Sequence, residues 1–312
     1  MAEGSASLTA LGTSLMRAVH TRTDPAPLID DDWGARLVTE AERAQLYSLA
    51  RQGLDASHLA ALDAAAPDEA ALAAALRAWP GFANIILRQR YAEDALARAV
   101  AGGVAQYVIV GAGLDSFALR RPSFAAGVTV FEVDLPATQD LKRRRIAEIG
   151  VAEPAGLVFV AADLGRESLD AALGRTDFRA DRSAFFSWLG VTSYLSREAN
   201  LATLAAIARC ATPGSELVFT YIDSAVLDAQ RGDGDLSAAR QALATSREPW
   251  VSGFRPEDLR AVLAGCGFDL VEDLSGGDLV ERYCAERADF PSTGEMHVAL
   301  ARRSVTTAGG SA

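Results

Sequence analysis

The sequence predicts an α/β fold in which a largely parallel sheet, covered by helices, follows a helical N-terminal cap. Two observations carry this. From residue 106 onward, short apolar runs rich in β-branched and aromatic residues recur: "QYVIVG", "VTVFEVD", "LVFVAAD", "SAFFSWLG" and "SELVFTYID". They are continuously apolar rather than alternating, as strands buried on both faces are. Between them lie helix-patterned stretches at 114–121, 136–149, 166–173 and 197–210, which supply the crossovers that parallel strands require.

In chain order, the segment up to Gly102 is alanine-rich and helical in pattern. "EAERAQLYSLARQGLDASHLAALDAAA" and "EAALAAALRAW" place Leu and Ala at three- and four-residue intervals. Pro80-Gly81 interrupts the pattern, and "ANIILRQRYAEDALARAVAGG" resumes it until Gly102-Gly103 stops it. Residues 1–102 are therefore read as the cap and 103–304 as the sheet domain. An insertion at about 223–252 precedes a helix starting near Pro256, and 305–312 reads as a disordered tail. Two further runs, "FDLVEDL" and "EMHVALARR", flank residues 275–294, which form either a crossover or a long hairpin excursion.

Composition narrows the function. The 312-residue chain has a formal net charge of −11, which disfavours binding to phosphate backbones. Lys142 is its only lysine, and the one dense basic run, "KRRRI" at 142–146, reads as a solvated helix face. No stretch reaches the roughly 18–20 apolar residues of a membrane span, and the N-terminal residues lack a secretory pattern. A cytoplasmic protein is expected. Cys210, Cys266 and Cys284 show no CxxC spacing, and His20, His58 and His297 are scattered singly, so neither a disulfide framework nor a metal site is expected.

The chemistry concentrates after the first strand, at "GAGLDS". Gly111 and Gly113 stand at its carboxyl end, where a parallel sheet binds ligands and glycine allows close backbone approach. The next strand ends in Glu132 and Asp134, about 20 residues on, where an acid accepts from ribose hydroxyls. Helix capping near Pro136 is the plain alternative for this pair. Asp163 ends the third strand, beside the place an adenine would occupy; a cap is its alternative. A dinucleotide fingerprint would want a third glycine, but Ser116 stands there, and Asp115 would oppose a diphosphate. A sulfonium ligand with an ammonium group tolerates these acids, so S-adenosyl-L-methionine fits the charge pattern better than NAD.

"QYVIVGAGLDSFALR", "FEVDLPATQDLKRRR", "VAADL" and "GVTSYLSREA" occur in that order, with "LTALGTSLMRAVHTRTDPAPLIDDDWGARLV" and "ILRQRYAEDAL" before them. Together they resemble the leucine carboxyl methyltransferase family, especially its bacterial branch of S-adenosylmethionine-dependent methyltransferases, over residues 8–303. The resemblance implies a class I, Rossmann-like methyltransferase fold: a seven-stranded, mostly parallel sheet with the last strand antiparallel. It implies that Arg88 holds the cofactor's carboxylate, with Arg90 a neighbour or substitute. It places Gly111 at the methionine moiety, Asp134 and Glu132 at the ribose, and Asp163 and Leu164 at the adenine. The chain departs from the family at Leu189, where a glutamate often precedes "GVxxYL". Trp188 beside it either packs near the ligand or fills the core.

Methyl transfer is an in-line displacement that needs alignment and exclusion of water. A carboxylate acceptor, with a pKa near 4, is ionised already and needs no general base; a phenol, near 10, does. No clear base stands out. Candidates for orienting substrate are His20 with Arg17 and Arg22 beside it, Tyr194, and Tyr221. A surface turn or core packing is the plain alternative for each. The expected activity is O-methylation of a small-molecule carboxylate. The alternatives are a hydroxyl acceptor served by His20 or a tyrosine, a non-catalytic methyltransferase-fold protein, and an NAD-linked oxidoreductase.

Overall fold

The computed structural model describes residues 7–52, 59, 69–231, 250–287, 290 and 294–305. The alanine-rich run around His58, the middle of the expected insertion and the tail from residue 306 lie outside the described residues.

Strands form where the apolar runs stand: β1 Gln106–Val110, β2 Thr129–Asp134, β3 Leu157–Ala161, β4 Phe185–Trp188, β5 Glu216–Ile222, β6 Phe268–Ser275 and β7 Met296–Arg303. They make one sheet in the order β3-β2-β1-β4-β5-β7-β6. Pairings among β1 to β5 are parallel, whereas β7 runs antiparallel to both β5 and β6. The 275–294 segment is thus a hairpin excursion. It contains a helix, Gly276–Cys284, started by a reciprocal cap between Ser275 and Asp278.

Alternate residues along the strands feed two cores. Val108, Phe131, Val133, Phe186, Trp188, Phe219 and Ala299 pack with Leu204, Leu259 and Leu263 of the helices Arg197–Cys210 and Pro256–Gly265. Tyr107, Ile109, Val130, Phe185, Val218 and Val298 face the other way. They meet helices α1 (Leu8–Thr23), α4 (Glu69–Arg77) and α5 (Phe82–Ala101); α2 (Gly34–Leu37) and α3 (Glu40–Gln52) lie between α1 and α4 in the chain.

Two helices are shorter than their patterns predict. The 114–121 stretch is helical only over α6, Phe117–Arg120, because the Asp115 carboxylate caps the Phe117 N–H at 2.7 Å and Arg121 turns left-handed (φ 44°) before Pro122. The 166–173 stretch is helical only at Leu169–Leu173. Its first residues instead close a turn on the Asp163 carbonyl, which accepts from the Arg166 and Glu167 N–H groups. The 136–149 stretch forms α7, Pro136–Glu148, with proline in its first turn.

Among the described residues no single helix is long and apolar enough to cross a membrane. The start of α2 lies directly on α1. A Cβ on Gly34 would sit 1.9 Å from the Ser14 carbonyl oxygen. Gly34→Ala should therefore destabilise the protein by about 3 kcal/mol, the upper range for overpacking, read as a lower midpoint of urea unfolding. An unchanged midpoint would show that the two backbones separate freely.

Candidate functional site

Strand order reverses between β1 and β4, and in a sheet of this kind the ligand crevice is expected beyond the carboxyl ends of the strands at that point. Gly111 follows β1 with φ 71°, and a Cβ on it would lie 2.6 Å from Val191 Cγ2. Gly190 follows β4 with φ 69°, and a Cβ there would lie 2.7 Å from a guanidinium nitrogen of Arg88. The two turns thus lean together, and neither position accepts a side chain. The β1 turn is fastened from behind. Val133 O accepts from the Gly111 and Ala112 N–H groups at 2.9 and 3.2 Å, and Asp134 Oδ2 from the Gly113 N–H at 2.6 Å. Asp134 Oδ1 accepts from the Leu135 N–H at 2.7 Å. Burial raises the Asp134 pKa against these backbone donors.

Arg88, on α5, is the unusual charge. Three arginines of the described residues are buried: Arg17, Arg88 and Arg145. Arg17 donates to Asp31 at 2.7 Å and Arg145 to Glu42 at 2.5 Å. Among the described residues Arg88 has no carboxylate within ion-pair distance, and its one hydrogen-bond partner is Met296 Sδ at 3.9 Å. Burial lowers its pKa to about 10, with Tyr194 pulling upward and Arg17 adding to the fall. Tyr194, in the turn Thr192–Tyr194, is thus near enough for its charge to act on Arg88. Leu189, where a carboxylate would be expected from the resemblance, packs instead against the apolar cluster that holds α1 and α5. A buried guanidinium without an anion is costly, and it marks a place built for one.

Other sequence candidates are engaged elsewhere. His20 is fully buried between Phe82 and Phe290, and its Nε2 accepts from the Leu28 N–H at 2.8 Å. That bond places its proton on Nδ1, towards Asp24 at 3.3 Å, and uses the lone pair a base would need. Arg22 is exposed and pairs with Asp32 and Glu69. Arg90 donates to both Asp94 oxygens at 3.0 Å and to the Leu28 carbonyl, so it is no substitute for Arg88. The Tyr221 hydroxyl donates to Asp273 at 2.7 Å, and burial pushes its pKa well up. Glu132 is fully buried and paired with Lys142 rather than open to the crevice. Asp163 accepts from the Gly165 N–H at 3.0 Å and pairs with Arg166, an arrangement of the capping kind, while Leu164 packs on the second core. Trp188 is a fully buried core residue.

Two features escaped the sequence. The run "KRRRI" is not a uniformly solvated face: Lys142 and Arg145 are buried, Arg143 and Arg144 exposed. The signal was present, since Gln139, Lys142, Arg145 and Ile146 share one helical face by spacing. The second is Asp31, fully buried, which accepts from Arg17 and, at 2.6 Å, from the Ser116 hydroxyl. Ser116 thus occupies the third-glycine position as a tether for the N-terminal segment.

Comparison with known proteins places the chain in a family and a fold. Residues 10–208 match the model of a family described as leucine carboxyl methyltransferase. YktD of Bacillus subtilis, named as an S-adenosyl-L-methionine-dependent methyltransferase, is 30% identical over 93% of this chain and 95% of its own. ML2020 of Mycobacterium leprae, with the same designation, is 31% identical over 82% of each chain. Among solved structures, a Thermobifida fusca protein described as a methyltransferase aligns over 94% of each chain, with TM-score 0.53 and 16% identity. A DUF574 family protein of Streptomyces avermitilis gives TM-score 0.54 at 15% identity, over 83% of this chain and 96% of its own. These two likenesses bear on the fold, which is that of the class I methyltransferases.

Because Arg88 is a buried charge without an anion, Arg88→Met should stabilise the ligand-free protein by about 1–4 kcal/mol. Urea unfolding checks this; a loss of stability would mean that an internal partner satisfies the guanidinium.

Proposed function

The chain belongs to the leucine carboxyl methyltransferase family, and we propose that it transfers a methyl group from S-adenosylmethionine to a carboxylate of a small molecule in the cytoplasm. The observation that carries the donor assignment is Arg88: a buried guanidinium, with no carboxylate partner among the described residues, against the bare Gly190 turn. When bound, S-adenosylmethionine supplies an electrophilic methyl group on a sulfonium. Its amino-acid carboxylate matches the planar fork of Arg88. Gly111 leaves room for the backbone approach, and Asp134, with lone pairs beyond its two backbone contacts, is the acceptor for ribose hydroxyls. Asp163 and Leu164, at the end of β3, are assigned to the adenine. The residues present fit the group.

The acceptor assignment rests on proton inventory. A carboxylate needs no base, whereas two of the side chains named for that duty have other partners: His20 accepts from Leu28, and Tyr221 donates to Asp273. With the substrate already ionised, the chain's task is to hold and dry it. Residues 1–102 are assigned the lid, Tyr194 beside Arg88 the orientation of substrate. A hydroxyl acceptor is the second reading. It is favoured by His297, whose Nδ1 lies 3.2 Å from Asp273 in the arrangement of a carboxylate-oriented base.

Calorimetric titration with S-adenosylhomocysteine tests the donor. Asp134→Ala should weaken binding at least about tenfold, the scale of a lost charge-assisted hydrogen bond; unchanged affinity would remove Asp134 from the ribose. The acceptor is tested by transferring a labelled methyl to a panel of acids and phenols. A carboxyl product loses its label in mild alkali, and its rate is flat with pH above about 6, because the acid is ionised there. An alkali-stable product, with a rate that climbs as a base loses its proton, would contradict the carboxylate reading.

A further inference from the structure

Lys142 is the only lysine in the 312-residue sequence, and it is 1% exposed. It lies on the inward face of α7, where its ammonium donates to the Asp115 carbonyl at 2.5 Å and to Glu132 Oε2. The same nitrogen lies 5.9 Å from the centroid of the Phe159 ring. Burying an ammonium is costly unless opposite charge and polar partners replace its water, and an apolar side chain would fill the same space more cheaply. Nor is the residue type incidental in a chain that otherwise uses arginine for its side-chain cations. A compact ammonium meets a carbonyl and a carboxylate oxygen from one point, which the wider guanidinium fork does not.

What Lys142 holds is the far end of the β1 turn. Asp134 grips the Gly113 N–H at 2.6 Å, and two residues later Lys142 grips the Asp115 carbonyl. One anchor comes from the end of β2 and the other from α7 behind it. Glu132 stands on the same strand face as Asp134 and takes one of the ammonium's hydrogens, fixing its aim. Its second oxygen, Oε1, has no hydrogen-bond partner among the described residues. The arrangement is therefore shaped around the lysine and not around the glutamate.

We infer that Lys142 is a positioning residue for methyl transfer: it sets the turn that receives the donor by holding the Asp115 carbonyl, with Glu132 as its aiming partner. The inference rests on the reading of that turn as the seat of S-adenosylmethionine. Lys142 touches neither donor nor acceptor, so its effect passes through the backbone of residues 111–115.

A lone lysine makes the test direct. Full-length protein labelled with 13C at the lysine ε-carbon should show one lysine signal, and saturation with S-adenosylhomocysteine should shift it. In calorimetry, folded Lys142→Met should bind S-adenosylhomocysteine at least about tenfold more weakly than the wild type, the loss expected for a charge-assisted anchor. A merely structural lysine would lower the unfolding midpoint of Lys142→Met and leave the affinity of its folded fraction unchanged. If the wild type binds while its lysine signal does not move, the inference is overturned and the donor assignment stands. Wild-type-like affinity in folded Lys142→Met overturns it equally. If the wild type does not bind S-adenosylhomocysteine at all, the donor assignment fails and this inference falls with it. The signal requires no variant to fold.

Discussion

The turn from Gly111 to Ser116 has to stay bare towards the crevice and yet be held still. Glycine meets the first demand, since no other residue takes its dihedrals at so little steric cost, but glycine also leaves the chain freest to move. The second demand falls on the residues behind it. Val133, Asp134 and Lys142 hold the turn from the β2 side, Asp115 caps its own helix, and the Ser116 hydroxyl binds Asp31. Ordering the turn in advance removes from binding a cost that a loose loop would impose.

The same logic connects the N-terminal helices to the site. Burial alone would raise the Asp31 carboxyl, but the Arg17 and Arg120 guanidinia outweigh it and hold its pKa below the ordinary range. Arg17 also donates to the Leu114 carbonyl at 3.2 Å, so α1 is stitched to the turn through charge-assisted bonds. Among the described residues, the buried arginines other than Arg88, namely Arg17 and Arg145, each pair with a carboxylate of the chain. That contrast is what supports the proposed role of Arg88 as the partner of a ligand's carboxylate.

Much of this was legible in the sequence. Continuous apolar runs located β1 to β5, since strands covered on both faces need no polar alternation, and the reversed last strand followed from the resemblance. The spacing of Gly111 and Asp134 after successive strands, and for Arg88 the resemblance alone, assigned these residues to a ligand. Pairing was not legible. Nothing local to "MRAVHTRTD" says that His20 is enclosed by Phe82 and Phe290 or that Arg17 meets Asp31; those contacts form only when α1 packs. The basic run misled for a related reason. Its density suggested solvent, while its helical spacing directed Lys142 and Arg145 inward, and only tertiary partners decide between the two. Helix lengths failed where a side chain competed for the backbone, as Asp115 does ahead of Phe117.

The central claim is that Arg88 exists to receive a ligand carboxylate, and one comparison tests it most directly. Binding of S-adenosylhomocysteine is measured against 5′-methylthioadenosine, which keeps the nucleoside and the thioether but lacks the amino-acid carboxylate, in wild type and in Arg88→Met. The account predicts that the wild type prefers S-adenosylhomocysteine by at least about tenfold, as a charge-assisted pair should give, and that Arg88→Met loses most of this preference while retaining affinity for methylthioadenosine. A preference that persists undiminished in Arg88→Met would contradict it.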